Sequence, residues 1–359
     1  MNNKQNRIES IDWLRAILAI SIVIYHLISW TNFNFNSSHI LSRIAIGGVS
    51  MFFIISGLCL SIIYEKININ NSEIFQFYYS RILRIWPLFW LVAILTLILS
   101  HLNNTKIDQS IPSIVLNFTT LFSLFSSTKT FVTGSWTIGN EIVFYLFTPF
   151  ILVTYRYKKI IGNIIFLISL FIGIYFSMFK LDSSKNLDDQ WTFFIHPLNN
   201  LFLFILGIAM YNNFKKTNLH PIIIYSILIF SSLIFCFLPL GGDNINIVTG
   251  LGRSIFIILY FLIVFSVYKF PLKSNEINLK FIEKIGVATY GIYLLHPIIK
   301  GYSIYFIRLF FTKNINYNHP LINIIILITT IILSILSYKY FETKIIKIGK
   351  SVFQGKLKF

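Results

Sequence analysis

Arg15 and His26 are the residues of this sequence whose type and spacing first suggest chemistry. Both lie in the mostly apolar run from residue 11 to residue 30, about 20 residues long, the length a helix needs to cross a bilayer. A charged side chain inside a bilayer costs roughly 2–3 kcal/mol, so its presence needs a reason. On a helix the two side chains lie about 16 Å apart and point within about 20° of one direction. The two side chains therefore form a polar stripe along the helix. We predict that the guanidinium of Arg15 binds an anion and that the imidazole of His26, deeper in the span, acts as a general base.

Glu141 is the carboxylate that we expect at the same depth as His26. It lies in the motif Ser135 to Pro149, close to the outer end of its predicted span, and His26 lies close to the outer end of the first span. A general base needs an orienting or charge-stabilising partner of this kind. Alternatively, Glu141 complements the dipole at the start of a helix, and this interpretation stays open.

Two arginines three residues apart, Arg81 and Arg84, lie at the predicted cytoplasmic mouth of the third span. They share one helix face and could hold a phosphate through paired hydrogen bonds. Anchoring of the span by positive charge on the cytoplasmic side explains them equally well.

Other motifs are weaker or missing. The sequence has no G-x-S-x-G elbow, Walker A loop, G-x-G-x-x-G or H-E-x-x-H. His296 lies within a predicted span, where a site role and a packing role are equally good interpretations. The stretch from Gly47 to Gly57 is rich in small residues and predicts close helix packing. Cys59 and Cys236 lie in apolar runs and indicate neither a disulfide nor a zinc site.

The composition indicates that membrane helices position these residues. Of the 359 residues, 55% are apolar and only 12% are charged, whereas a soluble domain carries about 25% charged residues. The mean hydropathy is +0.72. We therefore predict an all-α polytopic membrane protein with ten spans, at residues 11–30, 46–64, 86–101, 138–154, 160–179, 193–211, 221–240, 251–270, 286–307 and 320–338.

The distribution of charge predicts the orientation. With the N-terminus in the cytoplasm, 21 of the 30 Lys and Arg residues lie on the cytoplasmic side, and both termini lie there. The net charge of +17 then points to the anionic inner leaflet and away from nucleic acid. The segment 111–126 is apolar but short, and we expect a re-entrant or interfacial piece. We divide the chain into a membrane domain, residues 1–345, and a basic cytoplasmic tail, residues 346–359.

Taken together, the motifs resemble those of acyltransferase family 3, membrane enzymes whose bacterial members O-acylate cell-surface glycans. The matching residues, in chain order, are Arg15 and His26; Phe52, Phe53, Ser56 and Gly57; Arg81, Arg84, Ile85 and Pro87; Ser135, Trp136, Glu141, Phe144, Tyr145 and Pro149; Tyr290 to Pro297; and Tyr338, Phe341 and Glu342. Each motif alone is weak evidence for the family, whereas six motifs in the same order are strong evidence. The departures are Thr137 in place of the common Ser, a missing proline after Glu342, and Pro297 directly after His296.

The resemblance implies a bacterial inner-membrane O-acetyltransferase. It would move an acyl group from cytoplasmic acetyl-CoA, or another acyl-CoA, to a hydroxyl of a surface polysaccharide or lipid-linked glycan. The acyl-CoA would be a donor substrate rather than a tightly bound cofactor, and no metal is implied. His26 would be the general base or a transient acyl carrier, and Glu141 its partner. The phosphates would be held by Arg15, Arg81 and Arg84, and the substrate pocket would include Ser135, Trp136, Tyr145 and His296.

Two further function classes stay open at this point. A transporter or flippase for a polar solute or lipid-linked sugar also fits buried charges and ten spans. A non-catalytic component of a membrane assembly is a third interpretation, although it gives no reason for burying His26 and Glu141. The chain stops soon after the tenth predicted span, so we expect no SGNH-type hydrolase domain and a separate protein for any extracytoplasmic transfer step.

Overall fold

The chain folds into helices over the part that the structure describes. The structure is a computed structural model and describes residues 8–31, 33–125, 128–271, 279–310 and 317–353. These residues contain no β-strand, which confirms the all-α fold class. The α-helices are α1 (Glu9–Ser29), α2 (Ile40–Ile63), α3 (Asn71–Leu102), α4 (Ile111–Phe118), α5 (Phe122–Phe125), α6 (Trp136–Tyr157), α7 (Lys159–Tyr175), α8 (Trp191–Phe194), α9 (Pro197–Phe214), α10 (Pro221–Phe237), α11 (Ile245–Val248), α12 (Gly250–Tyr268), α13 (Lys280–Val287), α14 (Thr289–Phe310), α15 (Pro320–Ser337) and α16 (Thr343–Phe353). Shorter π-helical and 3-10 turns lie at Phe176–Lys180, Asp188–Gln190 and Tyr338–Glu342.

Seven helical segments of the described chain are long and apolar enough to cross a membrane. They are α1, α2, α3, α6, Lys159–Lys180, α12 and Pro320–Val352. The pair Asp188–Phe194 and Pro197–Phe214, bent by 55°, makes an eighth if it counts as one span, and α10 is apolar but has only 17 residues. Each of the ten predicted spans coincides with a helix, but length and composition support seven or eight, so the number ten stays a prediction.

The helices differ in how much of their surface is buried by their neighbours. Over the membrane-length part of each helix, 56% of α2 and 61% of α6 is buried, against 17% of the segment that begins with α15. The exposed side chains of α15 include Ile324, Ile328 and Ile332. Exposed apolar faces of this size suit contact with lipid, and polar groups belong on the inward faces. Polar residues within the spans are therefore expected on the faces that the helices turn towards one another.

At one crossing, α2 and α9 approach so closely that only glycine fits. A Cβ atom on Gly57 would lie 2.0 Å from the carbonyl oxygen of Phe204, and one on Gly207 would lie 1.9 Å from the carbonyl oxygen of Ile54. Small residues at helix crossings permit this backbone contact in membranes. The close packing predicted for the stretch from Gly47 to Gly57 is confirmed.

Arg43, near the start of α2, holds the C-terminal end of α10. The residue is 1% exposed, and its Nε donates to the carbonyl oxygen of Ser37 at 2.7 Å. The two terminal nitrogens donate to four carbonyl oxygens, those of Phe235, Cys236, Leu238 and Leu240. The last carbonyls of a helix have no hydrogen-bond donor within the helix and carry partial negative charge. A guanidinium supplies both the missing donors and a positive charge.

The helix α3 begins at Asn71, whereas the span was predicted to begin at residue 86. The reason is a local cap. The side chain of Asn70 accepts a hydrogen bond from the backbone N–H of Glu73 at 2.7 Å, and the Glu73 carboxylate accepts one from the N–H of Asn68 at 2.8 Å. Such an exchange satisfies the free N–H groups of a helix start. Arg81 and Arg84 therefore lie inside α3 and not at its first turn.

The segment predicted to be re-entrant or interfacial forms the short helices α4 and α5, as far as residue 125. It lies against α3: Trp90 donates to the carbonyl oxygen of Phe118 at 2.7 Å, and Trp86 donates to the hydroxyl of Thr120 at 3.1 Å. Two indole hydrogen bonds thus fix this segment to a long helix.

The predicted boundary between domain and tail, after residue 345, falls inside α16. This helix lies beside α3, where the hydroxyl of Tyr79 donates to the carbonyl oxygen of Gly349 at 3.2 Å. The rest of the predicted tail, residues 354–359, lies outside the described residues.

Candidate active site

His26 and His296 form a pair of stacked imidazoles near the C-terminal end of α1. Their ring centroids lie 5.4 Å apart with planes inclined by 20°. The indole of Trp30, one turn after His26, completes a triangle, with its ring centroid 5.5 Å from that of His26 and 5.9 Å from that of His296. His296 is 3% exposed, whereas His26 and Trp30 are half-buried. We call His26 and His296 the histidine pair.

A backbone carbonyl sets which ring nitrogen of His296 carries a proton. Nδ1 lies 3.1 Å from the carbonyl oxygen of Ile292. A carbonyl only accepts, so Nδ1 donates, and in the neutral ring Nε2 then keeps its lone pair. The contact with the carbonyl of Ile292 thus orients this imidazole.

The three arginines converge at the other end of α1. The charges of Arg15, Arg81 and Arg84, from α1 and α3, all act on the thiol of Cys59 in α2. Arg81 also lies over the ring of Tyr64. The Nε atoms of Arg15 and Arg81 are buried and have no hydrogen-bond partner among the described residues. Because a buried donor without a partner is costly, this arginine cluster is suited to receive the oxygen atoms of an anion.

Carboxylates lie in the same region as the arginine cluster. Glu141 and Glu342 both act electrostatically on Arg84, and Asp12 acts on Cys59. Glu342 is 6% exposed and accepts a hydrogen bond from the hydroxyl of Ser337 at 3.3 Å. Three carboxylates thus accompany three guanidinium groups. Recognition of an anion here would depend on the unused N–H groups and their geometry more than on net charge.

Glu141 does not contact His26 within the described part of the chain. Its Oε2 accepts a hydrogen bond from the hydroxyl of Tyr145 at 3.0 Å. Its charge reaches Tyr293, whose ring centroid lies 6.2 Å from that of His296 and whose hydroxyl donates to the carbonyl oxygen of Gly134 at 2.6 Å. Glu141 is therefore linked to the histidine pair through Tyr293. Its role as the partner of His26 stays a prediction.

A polar stripe on α14, of which the motifs include all but Lys300, connects the two regions. Tyr290, Tyr293, His296 and Lys300 recur at intervals of three or four residues, so they lie along one side of the helix. The hydroxyl of Tyr290 donates to the carbonyl oxygen of Ile85, beside Arg84, while Lys300 lies over the ring of Trp30. Tyr290, Tyr293 and His296 belong to the motif from Tyr290 to Pro297, whereas Lys300 lies one turn beyond it. The signal for the whole stripe is a set of polar residues at helical spacing in an apolar run.

The other residues predicted to line the substrate pocket have structural contacts. Ser135 is fully buried, and its hydroxyl bonds to the hydroxyl of Thr130 and the carbonyl of Val132 just before α6. The Trp136 indole packs edge-on against the rings of Phe53, Trp191 and Phe194. These contacts fix the start of α6, which carries Glu141 and Tyr145. Tyr145 lies with the carboxylates, and His296 with His26.

Metal ligation has no candidate among the residues described: no three His, Cys, Asp or Glu side chains come together there as ligands. Cys59 and Cys236 are both free thiols.

Helices of this length, with two polar regions enclosed between them, define an integral membrane protein that carries a buried site. The family model described as an acyltransferase domain matches residues 8–339. The chain therefore belongs to acyltransferase family 3, as its motifs suggested. The matched range includes every residue named in the histidine pair and the arginine cluster.

Similar proteins of known name come from Staphylococcus aureus. The chain is 26% identical over 369 residues to the O-acetyltransferase OatA of strain NCTC 8325, and equally to OatA of strain MRSA252. Each alignment covers 96% of this chain and 58% of the relative, so the chain spans little more than half the length of these relatives. No solved structure matches the chain significantly.

Proposed function

We propose that this chain is a membrane O-acetyltransferase that takes an acetyl group from cytoplasmic acyl-CoA and transfers it to a hydroxyl of a cell-surface or lipid-linked glycan. Family membership and the names of the relatives support acyl transfer. The observation that carries the proposal is the placement of two complementary sites on one helix. Arg15, with an unpartnered buried Nε, and His26, in the histidine pair, lie about 16 Å apart along α1.

The arginine cluster suits the donor. The phosphates of CoA need charged hydrogen-bond donors, and the free Nε atoms of Arg15 and Arg81 supply them next to Arg84. The pantetheine arm would then extend along α1 and α14 towards the histidine pair. Tyr290 and Tyr293 line this direction on α14.

The histidine pair suits the transfer step. As a general base, neutral His26 would take the proton of the acceptor hydroxyl while its oxygen attacks the thioester carbonyl. The carbon–sulfur bond breaks, the acetyl ester forms, and the imidazolium returns the proton to the departing thiolate of CoA. Alternatively, His26 carries the acetyl group transiently before the hydroxyl attacks. In both routes His296 lies against His26 and fixes the ring plane.

The membrane location and the orientation of the chain are part of the same proposal. We place the chain in a bacterial inner membrane, with ten spans and both termini in the cytoplasm, where acyl-CoA is found. The acceptor glycan would enter from the outer side, near the C-terminal end of α1. A separate extracytoplasmic transferase could receive the group where the final acceptor lies beyond the membrane.

The test uses membrane vesicles that contain the native envelope glycan and acetyl-CoA labelled in the acetyl group. Wild type should move label into base-labile glycan or lipid-linked sugar. His26→Ala should lower transfer by about 100-fold or more, because a positioned general base contributes at least that factor. His101→Ala, a substitution at an exposed histidine near the end of α3, is the matched control and should keep wild-type transfer.

Two outcomes would contradict the proposal. A His26→Ala protein that inserts normally and retains transfer would remove the imidazole from the mechanism. Absence of transfer by wild type with native glycan and with longer acyl-CoA donors would instead favour the transporter or flippase interpretation.

A further inference from the structure

Lys300 is a buried cation beside the histidine pair that neither the donor nor the transfer step uses. It lies on α14, one turn after His296, and is 5% exposed. Its Nζ is 5.2 Å from the centroid of the Trp30 ring, and that ring contacts both imidazoles. The ammonium is therefore separated from the histidine pair by a single indole.

The ammonium of Lys300 has no carboxylate partner among the described residues. It has three N–H donors, and the one hydrogen bond found for it there is to the neutral amide oxygen of Asn323, at a long 3.4 Å. In the described part of the chain, the lysines within salt-bridge distance of a carboxylate are Lys185 and Lys215, and Lys300 is not among them. A buried charge without a partner costs several kcal/mol, and an aromatic face offsets only part of this.

Structural roles explain Lys300 less well. A lysine near the end of a membrane helix commonly extends its ammonium to the aqueous interface, but this residue is buried. A cation over an indole can simply stabilise packing, yet an apolar residue would do so without the cost of desolvation. A bound anion at this position would supply both the missing charge and the missing acceptors.

We propose that Lys300 binds an anionic group of the acceptor, a carboxylate or a phosphate, and so places the neighbouring hydroxyl at the histidine pair. This inference rests on the proposed function, because it takes the histidine pair as the place of transfer. It narrows the acceptor to acidic sugars or glycans that carry phosphate. A neutral glycan would leave the ammonium unpaired.

The experiment measures binding, so it does not depend on transfer. Purified full-length protein in detergent is titrated with methyl glucuronide, glucose 6-phosphate or the neutral methyl glucoside, and the shift in the midpoint of thermal unfolding gives the affinity. The two charged probes distinguish a carboxylate from a phosphate. The variants are Lys300→Met, Lys300→Arg and the control Lys185→Met, at an exposed lysine in a loop. Comparison of each variant with wild type cancels any binding of a probe at the arginine cluster.

Wild type, Lys300→Arg and Lys185→Met should bind at least one charged probe more tightly than methyl glucoside. Lys300→Met should weaken that binding by about tenfold or more and leave the glucoside unaffected, since truncation of one member of a buried charged pair costs at least this much. If Lys300→Met does not accumulate, Lys300→Gln replaces it. Equal binding of charged and neutral probes by wild type, no binding of either charged probe, or unchanged affinity in the uncharged variant would each overturn the inference.

Failure of this inference and failure of the proposed function are distinguishable. Acetyl transfer that depends on His26, together with charge-independent binding, would refute the role of Lys300 alone. Charge-selective binding through Lys300 without acetyl transfer would refute the proposed function, and the anion site would then belong to another activity.

Discussion

Arg43 and Arg15 differ in how the guanidinium group of a membrane helix is hydrogen-bonded. Every nitrogen of Arg43 donates to a backbone carbonyl, so its charge is fully used in joining α2 to α10. The Nε of Arg15 is also buried, yet it has no partner among the described residues. Since the cost of burying a donor is recovered only through hydrogen bonds, the first arginine is structural, whereas the second leaves one donor for the ligand we propose.

We expect Arg43→Met to destabilise the protein by at least about 3 kcal/mol, because several buried carbonyls at the end of α10 lose a charged donor together. The measurement is the unfolding transition of purified protein in detergent. Arg308→Met removes an exposed arginine of α14 and should change stability by less than about 1 kcal/mol. Similar losses of stability in the two variants would show that the hydrogen bonds of Arg43 to the end of α10 contribute no special stability.

At the scale of helices, the position of the elements was more predictable than the direction of their faces. Apolar runs long enough to cross a bilayer fix where helices occur, and each predicted span coincides with one. The start of α3 was missed because the cap formed by Asn70 and Glu73 lies outside the apolar run. The N-x-x-E pattern could have indicated it from the sequence alone.

The crossing of α2 and α9 yields a sharp prediction. Gly207→Ala should destabilise the protein by ~3 kcal/mol, at the upper end of overpacking effects, because the new methyl group meets the backbone carbonyl of Ile54 and not a movable side chain. Thermal unfolding and the amount of protein inserted in membranes measure this effect. Gly241→Ala is the matched control, since a Cβ there meets nothing within 4 Å. A Gly207→Ala protein as stable as the control would mean that the two helices do not cross as described.

At the scale of the whole molecule, the sequence did not reveal which helices are neighbours. Glu141 was expected beside His26, whereas its charge acts on Arg84 of the arginine cluster. Glu141 and His26 were placed together because their predicted spans put them at similar depth. Depth says nothing about which helices are neighbours, and in the fold His26 stacks on His296 of α14, while Glu141 bonds to Tyr145. By contrast, Arg15, Arg81 and Arg84 were grouped by charge at the cytoplasmic side, and in the structure the charges of all three act on the thiol of Cys59. Their role in holding a donor stays a prediction.

The predicted orientation can be tested with single cysteines in a background where Cys59 and Cys236 are replaced by serine. Ser184 and Lys216 are both exposed and lie on either side of α8 and α9. A membrane-impermeant maleimide should label Ser184→Cys in intact cells and Lys216→Cys only after permeabilisation, because the positive charge is retained inside. Labelling of both from one side would mean that the bent pair does not cross the membrane.

The distance along α1 between Arg15 and His26 fixes the length of donor that the proposed reaction can use. A helix does not stretch, so the interval between Arg15 and His26 sets how far a thioester can project from phosphates held at the arginine cluster. Donors with a shortened arm would be bound but unable to react, and a bulky acyl group would extend past the imidazole into the space of the acceptor. Because the two sites lie at opposite ends of that helix, donor and acceptor need not share an entrance. The chemistry would then be vectorial, with the acetyl group passing across the bilayer while CoA stays on the side it came from.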